Sequence, residues 1–142
     1  MIRLTEEMRE AINPALARGM PCLLITAWQD GWPAAGFRGS MMVYDEEHLA
    51  YWERTHGREL AALRQNPRVL VIFRDPVKRI GWKFYGTATV HEAGPVREAV
   101  LARTVPEELE RDPERKGVAV LIRVDRITTL GGRVVQEREP GA

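Results

Sequence analysis

Residues 48–76, HLAYWERTHGRELAALRQNPRVLVIFRDP, decide the fold of this chain. The segment begins with a predicted strand, His48 to Glu53, and a short loop leads into residues 58–65 (RELAALRQ), which are strong helix formers. Asn66-Pro67 ends this helix, because proline cannot continue it. Val69 to Phe73 is a continuous run rich in β-branched residues and predicts a buried strand. The segment is therefore read as strand, loop, helix and strand.

The residues before this segment predict a hairpin and a further strand. Residues 22–28 (CLLITAW) form a short apolar run that is typical of a buried strand. Asp30-Gly31 is a dipeptide favoured in tight turns, so Trp32 to Phe37 is expected to fold back beside that strand. Gly39 to Tyr44 predicts the next strand, and Thr5 is expected to cap a short N-terminal helix.

The residues after this segment add two long strands and a helix. From Ile80 to Val90 the chain alternates, with Trp82, Phe84 and the other even-numbered residues on one face. Pro95 to Thr104 predicts a helix, Gly117 to Arg126 a long strand, and Val134-Val135 a final short one. Six to seven antiparallel strands with small peripheral helices predict a mainly β fold, a closed or nearly closed barrel. At 142 residues the chain fits a single domain, residues 1–142.

Composition and motifs exclude several classes of function. The net charge is only +1, and no apolar run has the length of a signal peptide or membrane span, so we expect a cytoplasmic protein. Cys22 is the single cysteine and lies in an apolar run, which predicts a buried, inert thiol. The three histidines lack metal-binding spacing, and no nucleophile or nucleotide-binding motif is present. Any reactivity is therefore expected to come from a cofactor.

Positive charge is concentrated in residues 54–83, which contain eight basic and two acidic residues for a local net charge of +6. The rest of the chain has a net charge of −5. Several aromatic residues flank or interrupt this stretch, namely Tyr51, Trp52, Phe73, Trp82, Phe84 and Tyr85. Cationic groups beside flat apolar surfaces predict a ligand that is partly phosphate and partly aromatic ring.

The loop from Glu53 to Arg58 is the best candidate for the phosphate end of such a ligand. Exposed amides in the first turn of the following helix favour anions. Gly57 allows close approach of the backbone, Thr55 offers a hydroxyl, and Arg54 and Arg58 can bind oxygens in bidentate fashion. The alternative interpretation is a solvated loop whose arginines only aid solubility. Glu107-Glu108, further along, is interpreted as surface charge.

These residues together resemble the pyridoxamine 5′-phosphate oxidase-like family of FMN-binding split barrels. The resemblance runs from Gly31-Trp32-Pro33 through residues 48–76 to GWKFYGTATV at residues 81–90. The junction Asn66-Pro67-Arg68-Val69 and the Gly86-x-Ala88 strand are typical of that family. The resemblance implies a split barrel that binds FMN at a homodimer interface, with basic residues around the phosphate.

The resemblance also implies which residues contact the cofactor. It places Arg38, Ser40, Arg54, Thr55 and Arg58 at or near the phosphate, and Trp52, Trp82 and Lys83 toward the ring. Glu59 and the pair Met41-Met42 stand where the family often has basic residues. The chain also lacks the C-terminal Arg-x-His element and tryptophan of true pyridoxamine phosphate oxidases, so we do not expect that activity.

The sequence therefore predicts an FMN-dependent oxidoreductase that acts on an unidentified small-molecule substrate. Three alternatives stay open: an F420-dependent reductase on the same barrel, a non-catalytic flavin-binding protein, and a nucleic-acid binder that would use the basic stretch and its aromatic residues. No nucleic-acid partner is expected, because the charge of the whole chain is close to neutral.

Overall fold

The computed structural model describes residues 1–141, which form eight strands and four short helices. The strands are β1 (Cys22–Ala27), β2 (Pro33–Arg38), β3 (Met42–Val43), β4 (His48–Glu53), β5 (Arg68–Asp75), β6 (Ile80–His91), β7 (Val118–Thr128) and β8 (Val134–Glu137). The helices are α1 (Glu6–Ile12), α2 (Arg58–Gln65), α3 (Pro95–Arg103) and α4 (Pro106–Leu109). The predicted bounds of β4 and α2 are confirmed.

All strands pair antiparallel in one curled sheet with the order β2-β1-β5-β6-β7-β4-β3, and β8 pairs with the end of β7. The mainly β split barrel is thus confirmed. It has eight strands rather than the predicted six to seven, and both short segments, β3 and β8, lie where the sequence predicted a strand. No backbone hydrogen bonds join β2 to β3 or β4 at the other end of the sheet, so the barrel is open on this side. Side chains of β2 and β4 nevertheless contact each other across the opening.

The strand predicted from Gly39 to Tyr44 is shorter in the structure, where only Met42 and Val43 pair with β4. Residues 39 and 40 form a turn instead. The hydroxyl of Ser40 accepts a hydrogen bond from the backbone N–H of Trp52 and donates one to the carbonyl of the same residue, both at 3.0 Å. The Ser40 side chain therefore joins this turn to β4 in place of the backbone hydrogen bonds that a longer strand would make.

The main core lies inside the curled sheet. Directly paired residues Leu24, Val71, Phe84 and Ile127 form one buried row across β1, β5, β6 and β7. Helix α2 closes one side of this core with Leu60 and Leu63. The predicted inner face of β6 is confirmed at Phe84, Gly86 and Ala88, which are all buried.

A second, smaller core lies on the other side of β4 and β7, beneath α3. It consists of Met42, Ala50, Trp52, Val100 and Ala119. Because residues alternate along β4, this strand contributes to both cores and is buried on both faces. Strand β4 is therefore held more firmly than an edge strand would be.

The outer face of β2, β1, β5 and β6 is largely apolar. In one row of directly paired residues, Phe37, Leu23, Ile72 and Lys83 lie side by side. The next row contains Ala35, Ile25, Leu70 and Tyr85. Phe37 is 67% exposed, and the other apolar residues of these two rows, apart from exposed Ala35, are half-buried. We call these two rows the outer apolar face.

The turn between β1 and β2 follows the prediction from Asp30-Gly31. The N–H of Trp28 donates to the carbonyl of Trp32 at 2.9 Å, and Gly31 adopts a φ of +90°. This conformation is favourable only for glycine. Within residues 1–141, no helix is long and apolar enough to cross a membrane.

We expect Phe84→Ala to lower the free energy of unfolding by about 3–5 kcal/mol, because it removes a large, fully buried side chain from the main core. Val77→Ala is the control, since Val77 is 88% exposed at the turn between β5 and β6. Urea denaturation followed by circular dichroism measures both. Equal losses in the two variants would contradict the assignment of the core.

Candidate functional site

A groove of about 430 Å³ lies where β2, β4 and the start of α2 meet. Its charged lining consists of three arginines and three glutamates: Arg38, Arg54, Arg58, Glu53, Glu59 and Glu108. Exposed Phe37, the first residue in one row of the outer apolar face, forms part of the rim. The groove thus brings together every basic residue that the sequence predicted around a phosphate.

Arg38 crosses the open side of the barrel from β2 to β4. It pairs in register with Cys22, a core residue, so its side chain points inward and is only 14% exposed. One terminal nitrogen lies 3.2 Å from Glu53 Oε1 and also contacts the carboxylate of Glu59. The other terminal nitrogen donates to the carbonyl of Phe37 at 3.0 Å.

Two polar atoms beneath the groove have no hydrogen-bond partner among residues 1–141: Arg38 Nε and Tyr51 Oη. The guanidinium carbon of Arg38 lies 5.8 Å from the centre of the Tyr51 ring. Burial raises the pKa of Tyr51, and the negative charge of Glu53 raises it further, so this hydroxyl is neutral. A buried donor without a partner is costly, so the fold leaves these two polar atoms unsatisfied next to the Arg38 ion pairs.

Glu53 organises the loop that follows β4. Its Oε2 atom accepts hydrogen bonds from the N–H and the hydroxyl of Thr55, at 3.3 and 3.2 Å. The side chain of Glu53 is only 9% exposed. The predicted role of the Thr55 hydroxyl at a phosphate is not tested by this geometry, but the hydroxyl already has a carboxylate acceptor.

Arg54 and Glu108 form an ion pair across the groove, with Nε 3.1 Å from Oε2. The interpretation of Glu108 as surface charge is therefore wrong. Its side chain is 14% exposed, because the short helix α4 brings it against the loop after β4. Nothing in the local sequence indicates this contact, since the two residues are separated by 54 positions.

Arg58 is the first residue of α2 and is exposed. Its guanidinium carbon lies 5.2 Å from the centre of the Trp28 ring. Gly57, the N-cap of α2, makes no side-chain hydrogen bond to the helix, so the first backbone N–H groups have no cap. Free amides and the positive end of the helix dipole favour an anion at this point.

The side chains of Ser40 and Trp52 are buried parts of the scaffold. Ser40 uses its hydroxyl on the backbone of Trp52. The Trp52 indole lies in the second core, where it donates to Asp112 Oδ2 at 2.9 Å and lies 4.9 Å from the guanidinium carbon of Arg97. Trp52 is among the residues that line the groove, and its indole is packed in the second core. The predicted contact of Trp52 with a cofactor ring stays a prediction.

Trp82 and Lys83 lie away from this groove. Trp82 is half-buried and packs against the main core, with its ring stacked 6.0 Å from that of Phe73. Lys83 belongs to the outer apolar face, where it is paired with Ile72 and Thr128. Neither residue lines the groove in a single chain. Their predicted position beside a cofactor ring stays a prediction.

The donor set of the groove fits a phosphate group. Three guanidinium groups and the uncapped start of α2 converge there. Three carboxylates balance the three positive charges of the groove, and of its three arginines only Arg58 has no carboxylate partner among the described residues. A phosphate is therefore expected to compete with internal carboxylates for the same cations.

Comparison with known proteins identifies relatives of this chain. The model of the family described as pyridoxamine 5′-phosphate oxidase matches residues 4–131. The crystal structure of HupZ from Group A Streptococcus is similar over 94% of this chain and 99% of HupZ, with 26% sequence identity and a TM-score of 0.73. No curated protein matches the sequence.

Two further solved structures share the fold. An FMN-binding protein from Syntrophomonas wolfei is 12% identical, with a TM-score of 0.68 over 87% of this chain and 86% of its own. A protein named F420 reductase is 17% identical, with a TM-score of 0.60 over 82% of this chain and 95% of its own. At these identities the likeness shows the fold alone.

The Asp112 carboxylate, which supports β4 from behind, generates a pH-dependent prediction. It accepts hydrogen bonds from Trp52 and from the backbone N–H groups of Lys116 and Gly117, each at 2.9 Å. Burial alone would raise the pKa of Asp112, but these donors outweigh burial and lower it. Its stabilising effect is therefore present above the unfolded-state pKa of about 3.9 and is lost as the pH falls through the lower folded-state value.

We expect Asp112→Asn to be less stable than the wild type at pH 7, because Asn cannot provide the same charged acceptor. The difference is expected to shrink as the pH falls below about 4. Urea denaturation at pH 7 and pH 3 measures the change. A difference that is the same at both pH values would contradict the role of the charged carboxylate.

Proposed function

The chain belongs to the pyridoxamine 5′-phosphate oxidase family, and we propose that it is an FMN-binding oxidoreductase that acts on a small molecule. The observation that carries this proposal is the convergence of Arg38, Arg54 and Arg58 on one groove beside the uncapped start of α2. A relative of the same fold is named as an FMN-binding protein, which supports the choice of cofactor.

In this proposal the groove holds the phosphate of FMN. Arg58 is exposed and has no carboxylate partner among residues 1–141, so it can bind a phosphate oxygen without breaking an ion pair. The free N–H groups at the start of α2 add donors from the backbone. Arg38 and Arg54 would also bind phosphate oxygens once Glu59 and Glu108 move away from them.

The ring of FMN would extend from the groove past Phe37 toward the outer apolar face. Phe37 links the two surfaces, because it lines the groove and begins the row that ends at Lys83. A flat apolar ring is favoured beside exposed aromatic and aliphatic side chains. The polar end and the apolar part of the ligand would thus meet surfaces of matching chemistry.

A second copy of the chain would cover the outer apolar face. Leu23, Ile25, Leu70 and Ile72 are side by side on it, and a contiguous apolar surface of this kind is typical of protein interfaces. Pairing two copies through this face would bury Phe37 and bring Lys83 of one copy into the shared interface. We therefore propose a homodimer with the cofactor at the interface.

Bound FMN would supply electron or hydride transfer, which no side chain of the groove can perform. The chain's own residues would hold the phosphate, orient the ring against the outer apolar face and exclude water from it. Positive charge from Lys83 near the ring would favour a reduced, negatively charged cofactor. The substrate is proposed to be a small molecule that enters beside the ring.

Binding of FMN is tested by comparing it with riboflavin, which has the same ring but no phosphate. We expect the wild type to bind FMN at least roughly ten-fold more tightly than riboflavin, because the arginines contact only the phosphate. Arg58→Ala is expected to remove most of this preference, whereas Arg64→Ala, which changes an exposed arginine paired with Glu92, leaves it unchanged. Quenching of flavin fluorescence measures both affinities.

Two outcomes of this titration would contradict the proposal. Equal affinity for FMN and riboflavin in the wild type would show that the groove is not a phosphate site. Tight binding of F420 without binding of FMN would assign the barrel to a deazaflavin reductase instead. Release of FMN from yellow purified protein on denaturation would support the proposal directly.

The homodimer is tested by placing a charge in the outer apolar face. We expect Ile72→Glu to convert the dimer to a monomer, because the interface would have to bury an unpaired carboxylate. Val77→Glu introduces the same charge at an exposed turn and is expected to leave the dimer intact. Sedimentation velocity over a range of concentrations measures the oligomeric state. A monomeric wild type, or a dimeric Ile72→Glu variant, would contradict this interface.

A further inference from the structure

The contact between Arg38 and Glu59 occupies the position that an anion in the groove would need. The same terminal nitrogen of Arg38 faces Glu59 and Glu53, and the other terminal nitrogen is used by the Phe37 carbonyl. Glu59 is therefore the groove-lining partner of the terminal nitrogens of Arg38, whereas Nε has no partner among the described residues but is fully buried. An external anion can reach the terminal nitrogens only if Glu59 moves away.

Gly36 leaves space for this contact. A Cβ atom at position 36 would lie 2.7 Å from a terminal nitrogen of Arg38 and 3.4 Å from Glu59 Oε1. The absence of a side chain thus lets the guanidinium and the carboxylate lie across β2. The ion pair is part of the packing between β2 and α2, rather than a chance encounter of two surface side chains.

Glu59 also lies in the first turn of α2, where a carboxylate interacts favourably with the helix dipole. It therefore neutralises both elements that would attract a phosphate, the guanidinium of Arg38 and the start of the helix. The Glu59 carboxylate and an external phosphate would therefore be attracted by the same positive charges, those of Arg38 and of the start of α2.

Of the two carboxylates on Arg38, Glu59 is the one that can leave. Its side chain is 37% exposed and has no further hydrogen-bond partner among residues 1–141. Glu53 is 9% exposed and accepts two hydrogen bonds from Thr55. Moving Glu59 into water leaves Arg38 paired with Glu53, so the barrel does not have to open.

We propose that Glu59 is an internal competitor for the anion site: its pairing with Arg38 and the binding of a phosphate group in the groove exclude each other. Glu59 then sets the affinity of the groove for phosphorylated ligands and weakens it below what three arginines would provide. The identity of the phosphate as that of FMN rests on the function proposed above, whereas the competition itself concerns any phosphate ligand.

The experiment compares wild type, Glu59→Gln and Glu59→Ala for three probes: FMN, riboflavin and inorganic pyrophosphate. We expect both variants to bind FMN and pyrophosphate roughly ten-fold more tightly, because one nearby negative charge is removed. Riboflavin affinity is expected to stay unchanged, since riboflavin carries no phosphate. Fluorescence quenching measures the flavins, and isothermal titration calorimetry measures pyrophosphate.

Glu10→Gln is the matched control. It removes the same charge from an exposed glutamate of α1 that does not line the groove, and it is expected to leave all three affinities within about two-fold of the wild type. Circular dichroism and the thermal midpoint establish that each variant is folded. An equal increase in phosphate affinity in Glu10→Gln and Glu59→Gln would show that only the net charge of the protein matters, and this would overturn the proposal.

The remaining outcomes separate this inference from the proposed function. Unchanged or weaker phosphate binding in both Glu59 variants would overturn the competition, even if the wild type binds FMN. Tighter pyrophosphate binding without any FMN binding would support the competition and contradict the flavin assignment. Failure of every variant to bind FMN and pyrophosphate would overturn both.

Discussion

The ion pair between Arg38 and Glu53 joins strands from opposite ends of the sheet. Strand β2 is at one edge, and β4 lies next to the other edge, so no backbone ladder connects them. The 3.2 Å contact between their side chains, together with the hydrogen bonds of Ser40 to the Trp52 backbone, holds the open side of the barrel together. Glu53 in turn positions the loop after β4 through Thr55. The groove therefore depends on a pair of largely buried charges, and losing one partner would leave the other unpaired inside the barrel.

This dependence explains why a positively charged sequence segment becomes a nearly neutral site. The carboxylates that face the arginines of the groove come from β4, α2 and α4, and only Glu59 lies within residues 54–83. Arg64, in the same basic stretch, pairs instead with Glu92 at 2.9 Å on the surface. The charge of the sequence indicated the loop whose arginines line the groove, but it did not predict the carboxylates that face them. That balance determines whether the arginines are available to a phosphate.

Helices and strands that are specified by residues close together in the sequence could be predicted. The bounds of α2 follow from helix formers that are ended by Asn66-Pro67, and the inner face of β6 follows from strict alternation. The Gly39 to Tyr44 strand was overextended, because a single hydroxyl, that of Ser40, bonds the backbone of a strand twelve residues away. Trp52 shows the same limit, because its indole donates to Asp112 in the second core, a partner 60 positions away that the local sequence does not indicate.

The sequence by itself determined the class of fold, the family and the loop that would carry the cationic groups, because strand alternation, helix ends and turn residues act over a few positions. Only the tertiary structure decided which carboxylates meet those cations. Contacts such as Arg54 with Glu108 and Arg38 with Glu53 join residues from separate elements, and the curl of the sheet sets their distances. The same curl places Phe37 between the groove and the outer apolar face. The local sequence thus supplies the arginines of the groove, and the curl of the sheet determines which carboxylates contact them.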